Sequence, residues 1–485
     1  MTLDAQAVAK ILSRVLGGRH KARANSLTFE QAATGLHNRL PESETMAMFT
    51  PEITGYIVAS GLLLALMAGV HIGVALGLAG FAGIYLSVGP DAAFAQLTAI
   101  PFGTTNSFAL AVIPLFILMG SFATVSGITT DLFRTAYVWL GSFRGGPAMA
   151  TVMSSAAFGA ASGSTIVNAA VFTRMAMPEM ARFGYDIRLN AGCIAAAGTL
   201  AALIPPSILM VVYAVITEQS IGKLLIAGVI PGIITALIYC GGIYILARVR
   251  PDLAPLANLK FTWSERLESL KGVWGIMVLF VLIVGGIYGG YFPATYAGAV
   301  GAFGAFLIAA VRGRVNGKAM GEVLKEAAIT TSVIFIIVIG GILFARFLTY
   351  SGLVTEISKA VLSMGSSKYV YLFSFILLFL VLGCFIEPIA IMVMTLPIMF
   401  PVMKEVGFDP IWLGVVAVKL AEIGVLTPPV GLNVFVVKSS SPIPVTLGQV
   451  FAGVTPFIVL DFLSLGLYVM FPEMITWLPN LMSAN

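Results

Sequence analysis

The chain carries little charge. Asp, Glu, Lys and Arg together make up 10% of its 485 residues, where a soluble domain carries about 25%. With 59% hydrophobic residues and a mean hydropathy of +0.99, this excludes a water-soluble fold and describes a polytopic membrane protein. Cysteine is scarce too. Cys193, Cys240 and Cys384 all lie in apolar segments without metal-type spacing. They are expected as small packing residues, not as a disulfide or a metal site. The three histidines, His20, His37 and His71, do not cluster along the chain. A Gly-x-Gly-x-x-Gly turn and a Walker A loop are both missing, so nothing cradles a nucleotide and no cofactor is expected. No hydrolase or kinase constellation is present either, so an enzyme is not expected. The net charge of +5 comes from loop lysines and arginines of the kind that orient membrane proteins, and does not point to nucleic acid.

What the chain does have is a proline pair inside a long apolar run, twice. Ile204-Pro205-Pro206-Ser207 and Thr427-Pro428-Pro429-Val430 stand at an offset of 223 residues (428 − 205). Gly184-Tyr185-Asp186 and Gly407-Phe408-Asp409 share that offset, and Ala227-Gly228-Val229-Ile230-Pro231 recurs as Ala452-Gly453-Val454-Thr455-Pro456 at 225 (452 − 227). Three ordered matches make a duplicated chain. Proline frees backbone carbonyls that lipid cannot satisfy, so each break must line protein or a watery cavity. Paired breaks in corresponding halves point to the central site of a secondary transporter.

At about 20 residues per crossing, the chain has room for about eleven helices. Residues 1–49 form a polar, partly amphipathic extension without a signal-peptide core, and a true start near Met46 or Met48 is an alternative. The first repeat, 50–247, is expected to span near 53–69, 72–88 and 106–126. A gapped stretch follows at 148–172, then long segments at 187–217 and 222–247. A charged linker, 248–271, leads to the second repeat, 272–485, with segments at 272–290, 294–311, 327–349, 370–402, 411–437 and 447–472. Lys and Arg place the linker and the 312–325 loop in the cytoplasm. The 89–105 and 473–485 stretches and the 289–293 turn then fall outside. If each gapped stretch is a re-entrant hairpin, each half crosses five times and the two are inverted copies. Lys359, Lys368, Lys404 and the basic arm run against this charge pattern.

The hairpin tips hold the candidate chemistry. The first reads Gly159-Ala160-Ala161-Ser162-Gly163-Ser164-Thr165, with Asn168 a turn later. Small residues allow a tight turn, and their hydroxyls and freed carbonyls are hard oxygen ligands suited to Na+ or a carboxylate. The same run is also an ordinary helix-packing surface. The second tip reads Gly383-Cys384-Phe385-Ile386-Glu387-Pro388. At the common offset Glu387 aligns with Ser164 (387 − 164). An acid between apolar runs costs about 2.5–3.5 kcal/mol on insertion scales and is functional by default; a solvated helix-capping role is the other option. The breaks run from Gly198 and Thr199 to Ser207, and from Gly424 to Asn433. Their carbonyls, half-helix N-termini and the side chains of Thr199, Thr427 and Asn433 add ligands. Lys419 and Glu422 are spaced to pair on one helix, as a gate or a neutralised pair. Asp461 reads as a structural hydrogen-bonder or a surface-facing residue.

From about Met48 onward the chain resembles the large membrane subunit of tripartite ATP-independent periplasmic (TRAP) transporters. The resemblance rests on the 159–168 hairpin, Met177-Pro178-Glu179-Met180, the two proline breaks, Ala227-Gly228-Val229-Ile230-Pro231-Gly232 and Glu422-Ile423-Gly424 with its continuation to Asn433. Ala201, where relatives often have Gly, and Glu387, where they often have Asp, depart from the pattern. The resemblance implies an all-α, inverted-repeat, elevator-type transporter coupled to Na+ in the bacterial inner membrane, amid lipid. It also implies a small four-helix membrane subunit and a periplasmic substrate-binding protein that delivers an organic acid. On this reading Na+ is held by Ser162, Ser164, Gly198, Thr199, Pro205, Glu387, Thr427, Pro429 and Gly431. Substrate meets Ser162, Gly163, Thr165, Asn168, Cys384 and Asn433. Scaffold helices are expected at 53–88, 222–247, 272–311 and 447–472. A stand-alone carboxylate carrier or antiporter of the same architecture is the nearer rival; a membrane enzyme built on Glu387 and Lys419 is the remoter one.

Overall fold

The computed structural model describes residues 51–482 apart from 258, 353, 357, 358, 360–362 and 364–366; of Pro51 and Glu52 only the backbone is described. The 1–49 extension lies outside the described residues. Within them the chain forms helices and turns, the solution that satisfies backbone groups locally where water is absent.

The first repeat opens with α1 (Pro51–Met67) and α2 (Ile72–Ser87). The stretch expected as an external loop at 89–105 is instead α3 (Pro90–Thr105), begun by a proline at its first turn. Missing Lys and Arg locate a side of the membrane but do not exclude a helix. Next come α4 (Val112–Val125) and α5 (Ile128–Leu140), which meet at 65° where Gly127 takes a left-handed φ of 79°. The sequence reading ended its third span at this bend and missed α5.

The gapped stretch is a hairpin, with limbs α6 (Gly146–Ser162) and α7 (Thr165–Arg182). They are joined through Gly163 at φ 58°. The broken helix follows as α8 (Ile187–Thr199), a 3-10 turn (Leu200–Ala202), an irregular break and α9 (Ile208–Ile216). Then α10 (Ile221–Ala227) and α11 (Val229–Val249) run on as one span.

The second repeat reuses this plan. It has α12 (Trp263–Leu270), α13 (Trp274–Phe280, continuing through a π turn to Tyr288), α14 (Ala294–Val311) and α15 (Gly317–Tyr350). Its hairpin is α16 (Lys368–Gly383) and α17 (Pro388–Glu405), and its broken helix is α18 (Pro410–Gly424) and α19 (Leu432–Ser440). The chain ends in α20 (Leu447–Met470) and α21 (Glu473–Leu481).

The 223-residue offset reappears as matching local chemistry. Ser164 caps α7 by accepting from Val167 N, and Glu387 caps α17 by accepting from Ala390 N. Asp186 and Asp409 cap α8 and α18 in the same way. The Pro205-Pro206 and Pro428-Pro429 bonds are both cis. Each hairpin packs on its own broken helix through very small residues. A Cβ on Gly159 would stand 2.8 Å from Ala201 Cα, and one on Gly383 would stand 2.8 Å from Gly424 Cα.

Packing divides the helices into two groups. α1, α2, α4, α14 and α15 pack mainly on one another; α2 lies along α15, with Gly73 against Gly340, and α14 along α4. The hairpins and broken helices form the other group. Two helices expected as scaffold, 222–247 and 447–472, belong with this second group. α20 packs chiefly on α8, so tightly that a Cβ on Gly192 would fall 2.0 Å from Gly453 C, and α11 packs on α6 and α20. A buried ion pair, Lys419 with Asp461, each 2% exposed, ties α18 to α20. Tyr239 Oη of α11 donates to the same carboxylate at 2.6 Å. Sliding α20 away would leave a buried charge unpaired, a loss of about 3–5 kcal/mol, so these elements form one body.

Candidate functional site: the chamber between the hairpin tips

A chamber of about 340 Å³ opens where the two tips converge. Gly163, Ser164 and Thr165 form one edge, and Glu387, Pro388 and Ile389 the other. Glu422, Val425, Leu432 and Asn433 of the second broken helix make the floor, Ile208 and Leu209 add the first, and α15 closes the remaining side with residues 329–337. His71 stands at its rim, where its Nδ1 accepts from Gly73 N at 3.3 Å.

The substrate-binding expectation falls largely on this lining. Gly163, Thr165 and Asn433 face the chamber. Gly163 admits no side chain, since a Cβ there would lie 2.4 Å from Pro206 O; the first tip rests on its own break. Thr165 Oγ1 donates to Glu422 Oε1 at 2.9 Å, and Asn433 Nδ2 donates to Ala195 O at 3.2 Å. Both bonds join one repeat to the other. Asn168 lies just behind, its Nδ2 donating to Ser155 O at 3.0 Å. Ser162 is buried at the end of α6, and Cys384 is half-buried with Sγ directed to Leu380 O; these three stand outside the lining.

The ion-binding expectation splits into two clusters. Around the first break, Gly198 packs on Ala169, the Thr199 hydroxyl donates to Ala196 O at 2.7 Å, and Pro205 and Ser162 are buried beside them. Ser164 and Glu387 both spend a side-chain oxygen on helix capping. Around the second break, the Thr427 hydroxyl donates to Ile423 O at 2.7 Å, Pro429 follows the cis bond, and Gly431 starts α19 with φ 61°. Val430 N donates to Cys384 O at 3.3 Å, so the second tip also rests on its own break.

Several buried oxygens here have no partner within the protein: Ser162 Oγ, Asn168 Oδ1, Glu422 Oε2 and Asn433 Oδ1. A buried acceptor left unpaired costs about 1–3 kcal/mol. Glu422 and Asn433 line the chamber, with Ser162 and Asn168 behind it, and oxygens so placed leave room for a cation or a hydrogen-bond donor.

One sequence reading needs correction. Lys419 and Glu422 do not pair: the lysine turns to Asp461, and the glutamate to Thr165. They leave the helix toward different neighbours, although their spacing permits a pair. Of the two readings of Asp461 the structural hydrogen-bonder holds, since it is buried and accepts from Tyr239. Glu422 is the chamber residue that the site expectation omitted. The signal was present: Glu422 stands at the common offset from Thr199 (422 − 199), which that expectation did include.

A family model described as the DctM component of tripartite ATP-independent periplasmic transporters matches residues 60–474. The chain is 38% identical over 382 residues to the C4-dicarboxylate TRAP transporter large permease protein DctM of Pseudomonas aeruginosa, spanning 78% of this chain and 88% of that one. It is 31% identical over 424 residues to the sialic acid TRAP transporter large permease protein SiaM of Vibrio cholerae, spanning 87% and 97%. Among solved structures, the Alcanivorax borkumensis YdaH transporter superposes with a TM-score of 0.53 at 15% identity, over 80% of this chain and 91% of that one. That likeness is one of fold.

Proposed function

We propose that this chain, which belongs to the DctM family of tripartite ATP-independent periplasmic transporters and is therefore a large permease, carries an organic acid into the cell in exchange for the free energy of a Na+ gradient. The reading rests above all on the chamber between the tips, with its unpartnered buried oxygens. A carboxylate there meets the hydroxyls of Thr165 and Ser164 and the starts of α7, α17 and α19, whose exposed N–H groups favour negative charge. Glu387 and Glu422 on the same walls oppose an anion. Bound Na+ at the tip–break junctions offsets them and makes the substrate's affinity depend on the ion. Coupling then follows from differential binding, without a nucleotide.

The body of hairpins, broken helices, α11 and α20 moves against the frame of α1, α2, α4, α14 and α15 and carries the chamber across the membrane. A small four-helix subunit supports the frame, and a periplasmic binding protein delivers the acid. Relatives bear the names of C4-dicarboxylate and sialic acid transporters, so the particular acid is set by chamber detail and by the binding protein.

The test is uptake by proteoliposomes holding the chain with its small subunit and binding protein, using labelled organic acids. Uptake is expected only when Na+ is higher on the binding-protein side. Equal uptake driven by a proton gradient in Na+-free buffer overturns the proposal.

A further inference from the structure

The chamber has a neighbour. A second cavity of about 280 Å³ is lined by Val212, Glu218, Gly341, Arg346, Thr349 and Val393 among others. Both cavities are bounded by the same three elements, α9, α15 and α17. The chamber touches them at 208–209, 329–337 and 388–389, and the second cavity at 212–216, 338–349 and 393–397. The two are stacked end to end along one track. Within the lining of the second cavity α15 and α17 meet without slack: a Cβ on Gly341 would fall 1.3 Å from Val393 Cγ1, so the valine fills the groove that this glycine leaves.

The second cavity carries one charge of each sign, Arg346 and Glu218. Residues 327–345 of α15 carry no charged side chain, about 28 Å of helix and close to the apolar thickness of a bilayer. Arg346 follows at once, at the opposite end of the run from Lys325. Among the described residues the ion pairs are Arg182 with Glu179, Arg312 with Asp131, and Lys419 with Asp461, so Arg346 has no acid partner. Glu218 faces the same space from the turn after α9, held at a φ of 56° that is uncommon outside glycine. It does not reach the guanidinium. Arg346 and Glu218 are both exposed, so the guanidinium is open to an anionic ligand in the cavity as well as to lipid headgroups.

We propose that this cavity is a second, outer anion site on the transport path, in which Arg346 receives a carboxylate of the organic acid and Glu218, opposite, limits how long it stays. A guanidinium binds a carboxylate through two parallel hydrogen bonds. The inference rests on the transport reading above and on the loop charges that place the Arg346 end of α15 outside.

The first experiment does not depend on transport. A single Thr349→Cys substitution, one turn beyond Arg346 and on the same cavity, is labelled in membranes with an anionic and a cationic thiosulfonate of equal size. The unsubstituted chain supplies the background from its own cysteines. The anionic-to-cationic rate ratio is expected to fall about tenfold when Arg346→Gln is added, to hold with Arg346→Lys, and to rise with Glu218→Gln. An unchanged ratio in Arg346→Gln means that the side chain points to lipid headgroups, and overturns the site. The second experiment is proteoliposome uptake, in which Arg346→Gln is expected to raise the half-saturating substrate concentration several-fold with the maximal rate kept. A variant that saturates like the wild type also overturns it. Absence of uptake by the wild type counts against the transport reading alone, because the labelling ratio still reports on the cavity.

Discussion

Two carboxylates stand in the second repeat where the first has hydroxyls: Glu387 for Ser164 and Glu422 for Thr199. Glu387 spends one oxygen on capping α17, as Ser164 does for α7, so its backbone role is shared and its charge is the addition. Glu422 is deeper. It is 3% exposed, one oxygen is held by Thr165, and the other has no partner. A buried carboxylate with one oxygen free has room for a cation or a donor to complete it. Glu422→Gln keeps the acceptor for Thr165 and nearly the same volume but removes the charge. We expect folded yield close to wild type, with at least about a tenfold rise in the Na+ concentration that half-saturates uptake, equivalent to about 1.4 kcal/mol of lost coupling. Uptake that follows Na+ as in the wild type would make the glutamate a purely structural acceptor. Much of this chemistry was legible in the sequence, since the offset alone pairs 164 with 387 and 199 with 422. What the offset does not carry is rotation about the helix. Lys419 and Glu422 are one turn apart, and only the tertiary neighbours Asp461 and Thr165 decide that they point to different places.

At the scale of elements, glycine and proline made the fold legible. Gly163 marks the first tip and the proline pairs mark both breaks, and the repetition of those pairs identified the broken helices before any contact was known. The elements missed were α3, α5, α12 and α21, whose residues are too mixed or too few to read as spans. α5 and α12 each meet an apolar partner at a bend, of 65° and 47°, and a bend is not visible in composition. The closest contacts also follow the repeat, with an instructive difference. The first hairpin meets its break as Gly159 on Ala201, and the second as Gly383 on Gly424. A methyl group is therefore accommodated on one side of the first contact and on neither side of the second, where a Cβ on Gly424 would stand 2.5 Å from Gly383 Cα. Gly424→Ala is expected to push the second tip off its break. It should lower the thermal midpoint and, on the Na+ coupling proposed above, reduce uptake at low Na+ more than at saturating Na+, because that contact sets the position of residues 425–431. Ala201→Gly, at the corresponding position of the first repeat, should cost only about 0.5–1 kcal/mol and leave Na+ dependence intact. Equal effects of the two substitutions would mean that tip–break packing does not shape the ion site.

On the scale of the whole molecule, the chamber lies across a boundary. Its tips, floor and Glu422 belong to the body that the Lys419–Asp461 pair and the Gly192–Gly453 contact hold together. Its remaining wall, residues 329–337 of α15, belongs to the frame. The sequence reading placed α11 and α20 with the scaffold. Only the buried pair and the glycine contact reveal that they pack with the site, and both are contacts between residues far apart in the chain. The division makes a mechanical prediction. Ile166 on the first hairpin and Ile334 on α15 line the same chamber from its two sides. If the body moves past α15, a cleavable bifunctional thiosulfonate joining Ile166→Cys to Ile334→Cys should stop uptake. A thiol reductant should restore it, and each single-cysteine variant should keep transporting after the same treatment. The cross-linked fraction is read by proteolysis between the two positions and gel mobility. Full uptake by a population shown to be cross-linked would mean that this wall travels with the tips. The moving boundary would then lie elsewhere, and the small contact of Gly120 on α4 with Ser162 at the first tip would be the next place to fix it.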